Sequence, residues 1–282
     1  MIVPSLMSTS QQNRTNPLTL VIAAALGVGA LAGCSGGTSA APAATASAGY
    51  TASSSTAPVT RTARVPSSAS ARVRAAQAAL RSAGSVHLDI SSTASNGSVA
   101  YSDDATASGG RQVVTFDRTG HATILFIDGV GYLQADAQTL AGFFGMLQSQ
   151  ASQLAGRWIS VRPGDKLGGT NYDLITSGIT LSSVADELTL SGTPTPTGPT
   201  TVDGQQVVGV RGPLPASDQM PASAQDALYL TDNSLMRPVV SEISGGGVKS
   251  EVKYSQWGEA VHLTAPANAI PASSVSSPSS TT

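Results

Sequence analysis

The sequence predicts an α+β fold in which helices cover one face of an antiparallel sheet. Three observations carry this prediction: residues 86–134 alternate apolar and polar side chains in short runs, apolar residues recur at helical spacing over 136–155 and 173–190, and alternation returns over 200–263. About nine or ten strands result. Such a sheet keeps one face in solvent and buries the other, and the central helices supply the cover.

The domain begins with a predicted helix over 69–83. Apolar residues recur at helical spacing as far as Leu80, and Gly84 offers a C-terminal stop. An antiparallel meander follows, with its strongest turn signal at Asp128-Gly129, a dipeptide typical of a two-residue hairpin. The strands predicted for this meander are 86–90, 98–108, 112–118, 122–127 and 130–134.

The centre of the chain is predicted to be helical. Over 136–155, Asp136 is the expected N-cap and Gly156 the expected stop. A short strand at 158–161 precedes a second helical region over 173–190, which we expect in two pieces. The apolar stripe of the first helix consists of Leu140, Phe143, Phe144, Leu147, Ala151 and Leu154.

An extended connector over 193–199 leads back to strands in the last third of the chain. Asp203-Gly204 is the turn signal between the first two of these strands. The strands predicted here are 200–202, 205–211, 227–230, 236–243, 248–256 and 260–263.

The composition excludes several classes of site. Charged residues are only 11% of the chain and the formal net charge is -2, so no basic surface is available to neutralise nucleic-acid phosphates. The single cysteine, Cys34, excludes an internal disulfide framework and a zinc site built from several thiolates.

The N-terminal region has the pattern of an export signal. Residues 18–32 are strongly apolar, and 15 residues of helix span about 22 Å, less than the roughly 30 Å hydrocarbon core of a bilayer. This favours the apolar core of a secretory signal peptide. The stretch ends in Leu31-Ala32-Gly33-Cys34, which resembles the bacterial lipobox. The resemblance implies a lipoprotein signal peptide over 1–33, cleavage before Cys34, and a diacylglycerol on that thiol. The alternative is an ordinary signal peptide followed by a chance cysteine.

A low-complexity segment separates this signal from the domain. Of the 34 residues from 35 to 68, 29 are Ala, Ser, Thr, Gly or Pro, a composition that buries too little apolar area to offset the entropy of ordering. We therefore expect a disordered tether over 34–68, a folded domain over 69–271, and a disordered tail over 272–282.

No catalytic constellation emerges from the motifs. His87, His121 and His262 lie far apart, and no pair has the spacing of metal ligands. Asp103 and Asp104 are adjacent, so on a strand they point to opposite faces, and we interpret them as a solvated strand end. The sequence therefore predicts neither an enzyme nor a metal or cofactor site.

Short motifs along 69–271 point to a family. They are IDGVGYL at 127–133, GRW at 156–158, TVDGQ at 201–205, LYL at 228–230, RP at 237–238, YSQWGE at 254–259, AP at 265–266 and IP at 270–271. Their order, together with the lipobox, resembles the actinobacterial envelope lipoproteins of the LppX/LprG type, whose architecture is similar to that of the LolA and LolB lipoprotein carriers. The resemblance implies a U-shaped antiparallel half-barrel with helices covering its concave face.

The same resemblance implies a function. Members enclose an apolar cavity, bind the acyl chains of lipids or glycolipids, and carry them in the cell envelope while anchored to the extracytoplasmic face of the cell membrane, with a membrane transporter as a candidate partner. The alternative is a sensor or scaffold lipoprotein with a closed core that binds a protein. The eleven residues that we expect to line the cavity are Val114, Phe116, Leu125, Ile127, Leu140, Phe143, Phe144, Leu147, Leu174, Ile175 and Leu181.

Overall fold

The computed structural model describes residues 65–275, apart from residues 96, 118–119 and 216–222. Cys34, the predicted signal peptide and all but the last four residues of the predicted tether lie outside the described residues. Within the described part of the chain, no helix is both long and apolar enough to cross a membrane.

A sheet of 12 strands dominates the described residues. The strands in this described part are β1 (Ser85–Ala94), β2 (Gly97–Thr106), β3 (Gly110–Phe116), β4 (Gly120–Ile127), β5 (Val130–Ala135), β6 (Ile159–Val161), β7 (Lys166–Leu167), β8 (Thr170–Asn171), β9 (Thr195–Val202), β10 (Gln205–Pro213), β11 (Gln225–Thr231), β12 (Pro238–Gly245), β13 (Val248–Ser255) and β14 (Ile270–Pro271). The large sheet has the order β14-β6-β5-β4-β3-β2-β1-β13-β12-β11-β10-β9, while β7 and β8 pair separately. Neighbours are antiparallel except β14 and β6, and the sheet does not close, so the expected antiparallel half-barrel is confirmed.

Two-residue turns join neighbouring strands where the sequence predicts them. Asp128 and Gly129, between β4 and β5, have φ values of 50° and 76°, and Asp203 and Gly204, between β9 and β10, have 48° and 79°. Positive φ at both central positions is the geometry that matches the twist of a hairpin, and Asp-Gly adopts it with little strain.

Several strands differ from their predicted limits, and β1, which reaches Ala94 instead of residue 90, is one that extends beyond them. β2 pairs with β1 along its whole length, although Ser and Asp make it look weak in the sequence. The predicted connector over 193–199 lies mostly within β9, an edge strand that carries Pro196 and Pro199. Proline cannot donate to a ladder, and an edge strand has a side where no donor is needed. The predicted strand over 260–263 is absent, since residues 256–269 form no strand on their way to β14.

The helices are shorter than the sequence predicts. Asp136 is the N-cap of α2 as expected, since its Oδ1 accepts a hydrogen bond of 2.8 Å from the Thr139 backbone. The single helix expected over 136–155 is divided, because Gly145 has a φ of 70° that an α-helix cannot contain. The helices of the described ranges are α1 (Ala69–Ser82), α2 (Ala137–Gly142), α3 (Gln148–Leu154), α4 (Tyr172–Thr176), α5 (Leu181–Glu187) and α6 (Ala272–Val275).

The first five helices form two groups on one face of the sheet, here called the covered face. The α1–α5 group consists of α1 and α5, which pack together over β1 and β10–β13 around Leu80, Leu88 and Leu228. The α2–α4 group consists of α2, α3 and α4, which pack over β4–β6 around Leu133 and Phe144. β2 and β3 lie between the two groups.

The domain is longer at both ends than expected. Ala272 is fully buried in the α2–α4 core, so the predicted tail is wrong for its first four residues, which form α6. The reason is that β14 pairs in parallel with β6 and carries the following turn onto the core. At the other end, the Pro66 carbonyl accepts a hydrogen bond of 2.8 Å from Arg72 Nε, and Ser68 caps α1.

Candidate functional site

An apolar stripe runs along the covered face between the two helix groups. We call Val99, Tyr101, Val114 and Phe116 the β2–β3 stripe; each side chain is at most 5% exposed. Strand register explains the cluster, because Val99 pairs with Phe116 and Tyr101 with Val114, and directly opposed residues of antiparallel strands share a face.

Phe143 packs onto this stripe. Its ring stacks on Phe116 with centroids 5.0 Å apart and meets Phe144 edge to face at 4.9 Å. Phe144 is 2% exposed and belongs to the α2–α4 core, whereas Phe143 is half-buried. Phe143 lies just after α2, in the non-helical segment that precedes α3, so it covers the stripe from a short connection rather than from a long helix.

Seven of the eleven residues expected to line a cavity contribute to the packing of the covered face, but at three separate places. Leu140, Phe144 and Ile175 belong to the α2–α4 core. Val114, Phe116 and Phe143 form or contact the β2–β3 stripe. Leu181 belongs to the α1–α5 core.

The other four lie elsewhere. Leu125 and Ile127 occupy the opposite face of β4, because Ala122, Ile124 and Phe126 are the residues that pack with the helices. Every position from 124 to 127 is apolar, so alternation alone could not identify the inner face. Leu147 is 66% exposed and Leu174 49% exposed. Leu147 is exposed because the helix expected to carry it is broken, and it becomes the N-cap of α3.

Polar groups are buried beside the stripe. Asp103 is 2% exposed, and its Oδ2 accepts a hydrogen bond of 3.1 Å from Nε2 of Gln112, its cross-strand partner. Asp103 Oδ1 and the Tyr101 hydroxyl are buried without a hydrogen-bond partner among the described residues. The interpretation of Asp103 and Asp104 as a solvated strand end is therefore wrong for Asp103, although the two side chains do point to opposite faces.

Burial controls the ionisation of these groups. Burial raises the pKa of Asp103 to about 8, although the hydrogen bond from Gln112 lowers it. Burial and the charge of Asp103 raise the pKa of Tyr101 well above its usual value. At the end of α5, burial and the charges of Asp103 and Asp186 raise the pKa of Glu187. At neutral pH, the interior beside the stripe therefore holds protonated carboxyl and phenol groups.

A second buried carboxyl group lies further along the covered face. Asp226, 6% exposed, accepts a hydrogen bond of 2.8 Å from the Ser241 hydroxyl. Burial raises its pKa to about 6, against the hydrogen bonds from Ser241 and the Ala227 backbone. Burial, with the charges of Asp226 and Glu187, also raises the pKa of Tyr254.

On the other face, His87 lies between two carboxylates. Its Nδ1 is 2.7 Å from Asp104 Oδ1, and its Nε2 is 3.4 Å from Asp89 Oδ1. Partial burial lowers the pKa of His87, but the hydrogen bond to Asp104 and the charges of Asp104 and Asp89 outweigh it and raise the pKa. This arrangement ties β1 to β2. Within the described residues, no three His, Cys, Asp or Glu side chains are placed to hold a metal ion.

Open clefts lie at the ends and the edge of the sheet. One of about 390 Å³ lies at the tips of the β1–β2 and β12–β13 hairpins, one of about 310 Å³ lies between α3 and α6, and one of about 280 Å³ lies beside His87 and His262. None of these three is lined by any of the eleven predicted residues. The apolar surface of greatest interest is therefore the β2–β3 stripe beneath Phe143.

Comparison with known proteins gives a likeness of fold. No protein-family model and no curated protein matches the sequence. Among solved structures, the chain is similar to the lipoprotein LppX of Mycobacterium tuberculosis, with 15% identity over 70% of this chain and 98% of that one and a TM-score of 0.46. It is also similar to LprF of Mycobacterium bovis, with 17% identity over 71% of this chain and 97% of that one and a TM-score of 0.45. The resemblance predicted from the motifs is confirmed. At these identities it concerns the fold alone, so function rests on the residues of this chain.

Proposed function

We propose that this chain is a lipoprotein, anchored through Cys34 to the extracytoplasmic face of the cell membrane, that binds lipid or glycolipid acyl chains on the covered face and carries them within the envelope without catalysis. A membrane transporter is the candidate partner for loading or release. One observation carries the binding proposal: an apolar stripe lies between two helix groups, and the half-buried Phe143 ring, stacked on Phe116, packs against it together with Ile90 and Ala94.

The energetics of the stripe suit acyl chains. Each buried methylene contributes about 0.8 kcal/mol, so a chain that lies on the stripe gains affinity without directional contacts. A stacked aromatic pair contributes only about 0.5–1.5 kcal/mol beyond its buried area, so displacing Phe143 from Phe116 is a small cost beside that gain. The Phe143 side chain can therefore act as the movable part of the cover, while Phe144 stays in the α2–α4 core.

Phe143→Ser is expected to speed the uptake of a dansyl-labelled fatty acid about two- to tenfold, because it removes the stacking that must be broken before a chain reaches the stripe. The free energy of unfolding should fall by only about 1–2 kcal/mol, since the ring is half-buried. Stopped-flow fluorescence measures the rate. Leu147→Ser, which alters an exposed leucine of the same segment, is the control and should leave the rate unchanged. Equal rates for all three proteins would contradict this role of Phe143.

Native mass spectrometry separates the carrier from the alternative scaffold. All described contacts lie within 65–275, so a chain that starts at residue 35 contains the whole described fold without the acylation site. A carrier is expected to retain lipid when this chain is purified from cells without detergent. The scaffold has one observation in its favour, the tight packing of Leu140 and Phe144, which are 0% and 2% exposed. Recovery of no lipid, together with no binding of added fatty acid, would favour the scaffold.

Cys34→Ala is expected to abolish acylation. The substitution removes the thiol that accepts the diacylglycerol, so the protein should incorporate no labelled fatty acid and should migrate as uncleaved precursor. Metabolic labelling and gel mobility measure both effects, and Ser35→Ala is the control at the neighbouring position. Undiminished labelling of the Cys34→Ala protein would show that the lipobox reading is wrong.

A further inference from the structure

Two oxygen atoms on the covered face of β2 have no hydrogen-bond partner in the part of the chain that the structure describes. They are the hydroxyl of Tyr101, whose side chain is 5% exposed, and Oδ1 of Asp103, which is 2% exposed. The residues are two positions apart on one strand, so they share a face and their Cα atoms are about 6–7 Å apart. Buried polar atoms in native proteins are nearly always paired, so two adjacent orphans call for a specific explanation.

The hydrogen bond at Oδ2 of Asp103 determines which group Oδ1 can offer to a ligand. Oδ2 accepts the hydrogen bond from Gln112 Nε2 at 3.1 Å. Because burial raises the pKa of Asp103 to about 8, the carboxyl is mainly protonated at pH 7, and Oδ1, the oxygen that Gln112 leaves free, is where the proton can be offered to a ligand. The Tyr101 phenol is protonated as well. Both orphan atoms therefore carry an O–H that has no acceptor among the described residues.

We propose that Tyr101 and Asp103 form a two-donor site that binds the carbonyl oxygen of an acyl ester. The inference rests on the proposed function, because Tyr101 belongs to the β2–β3 stripe on which an acyl chain would lie. A carbonyl oxygen has two lone pairs and accepts from two donors at once. A phenol paired with a protonated aspartic acid in an apolar site is a known arrangement for holding such an oxygen.

The charged surroundings favour an ester over a free carboxylate. Among the charged groups around Asp103, His87 lowers its pKa, Asp104 and Asp89 raise it, and no lysine or arginine takes part. Glu187 approaches from the α1–α5 group. A buried carboxylate would meet carboxyl groups and no strong cation, whereas an uncharged ester requires only the two donors. The site thus binds the ester group of an acylated lipid, while the β2–β3 stripe binds its acyl chain.

The stability of the unliganded protein gives the first test. Tyr101→Phe removes a hydroxyl that has no partner, so the melting temperature of the chain from residue 35 should hold or rise. Thr197→Val is the matched control, because it removes another buried unpartnered hydroxyl, on β9 and away from the stripe. If Tyr101→Phe instead lowers the melting temperature clearly, the hydroxyl has a structural partner and the site does not exist as described.

Binding gives the second test, with methyl palmitate carrying a ¹³C-labelled carbonyl as the probe and hexadecane as the probe without a carbonyl. Tyr101→Phe and Asp103→Leu are each expected to weaken methyl palmitate binding by roughly two- to tenfold and to leave hexadecane binding unchanged. The labelled carbonyl stretch of the bound ester should lie at lower frequency in wild type than in either variant. Thr197→Val should change neither quantity.

A pH series identifies the donor at position 103. In wild type, the ratio of methyl palmitate to hexadecane affinity should fall between about pH 7 and pH 9, as the Asp103 proton is lost. Asp103→Asn retains an N–H donor at every pH, so its ratio should stay level. The other titratable groups around the site are Tyr101, Glu187 and Tyr254, with His87, Asp89 and Asp104 behind the sheet. Tyr101 stays protonated over this range because its pKa is raised well above the ordinary value of 10.0. The remaining groups act on both probes, so the ratio removes their effect.

The outcomes separate this inference from the function on which it rests. If neither probe binds, the lipid-binding proposal is overturned and the ester site with it. If both probes bind equally to wild type and variants, with no shift of the carbonyl stretch, acyl chains are bound but the two-donor site is overturned.

Discussion

Arg72→Met is expected to lower the free energy of unfolding by on the order of 3–5 kcal/mol. The guanidinium is buried and forms hydrogen bonds to three segments of the chain. Its Nε donates to the Pro66 carbonyl, and its Nη1 donates to the carbonyls of Thr197 and Gly209, each at 2.8 Å. Methionine replaces much of the aliphatic stem and none of the donors. Three carbonyls would then lose a charged partner at the junction of α1, β9 and β10.

Urea denaturation measures this loss, and Arg74→Met is the matched control. Arg74 lies two positions away on the same helix and is exposed, so its replacement should change stability by less than about 0.5 kcal/mol. Arg72→Lys should recover only part of the loss, because an ammonium cannot reproduce the planar fork that reaches several carbonyls. Equal unfolding midpoints for the two methionine variants would show that the three hydrogen bonds of Arg72 contribute nothing to the free energy of unfolding.

The stability of the protein is expected to fall as pH rises from about 4 to about 8 through the titration of Asp103. Its pKa is about 8 in the folded protein, against an ordinary value of 3.8. Between these values the unfolded chain has released a proton that the folded chain still holds, so each increase in pH favours unfolding. Asp226, whose pKa is raised to about 6, acts in the same direction over the lower half of this range.

Asp103→Asn should remove most of this slope. The amide is neutral at every pH, so the variant should be more stable than wild type by on the order of 5 kcal/mol at pH 8 and similar to it near pH 4. Urea midpoints across this range give the difference between the two proteins, which isolates Asp103 from groups such as Asp136, whose lowered pKa acts in the opposite direction. Asp173→Asn, on an exposed turn of α4, controls for the loss of a carboxylate. Parallel stability profiles would contradict the buried, protonated state of Asp103.

The strand framework follows closely from the sequence because its signals are local. Asp128-Gly129 and Asp203-Gly204 specify the turns that set strand register, and both adopt the required positive φ. The division of the central helix could be anticipated only from Gly145, since the apolar stripe over 140–154 has helical spacing on both sides of the break. Local spacing does not reveal that the connection after α2 bends so that the Phe143 ring packs against Phe116 of β3.

The sequence predicts the residues of the candidate site less completely than it predicts the strands. On β4, the run 124–127 is apolar on both faces, so Leu125 and Ile127 could not be distinguished from Ile124 and Phe126. Asp103 was missed because a carboxylate in a polar strand is normally solvated. The available signal was the position of Asp103 in the strand. It is spaced by two and four residues from Tyr101 and Val99, so it lies on the same inward face of β2. Asp103 is buried because helices that are distant in the sequence pack over this face of the sheet. No local sequence pattern predicts that packing.

The prolines of β9 bear on how copies of this protein behave beside one another. β9 is the outermost strand at one end of the sheet, and Pro196 and Pro199 remove two amide donors from it, next to a register irregularity between Val207 and Gly209. At the far end, β14 has only two residues and finishes at Pro271. Neither margin offers a long regular ladder to another chain. Molecules crowded on a single surface can therefore remain monodisperse instead of joining their sheets into fibrils.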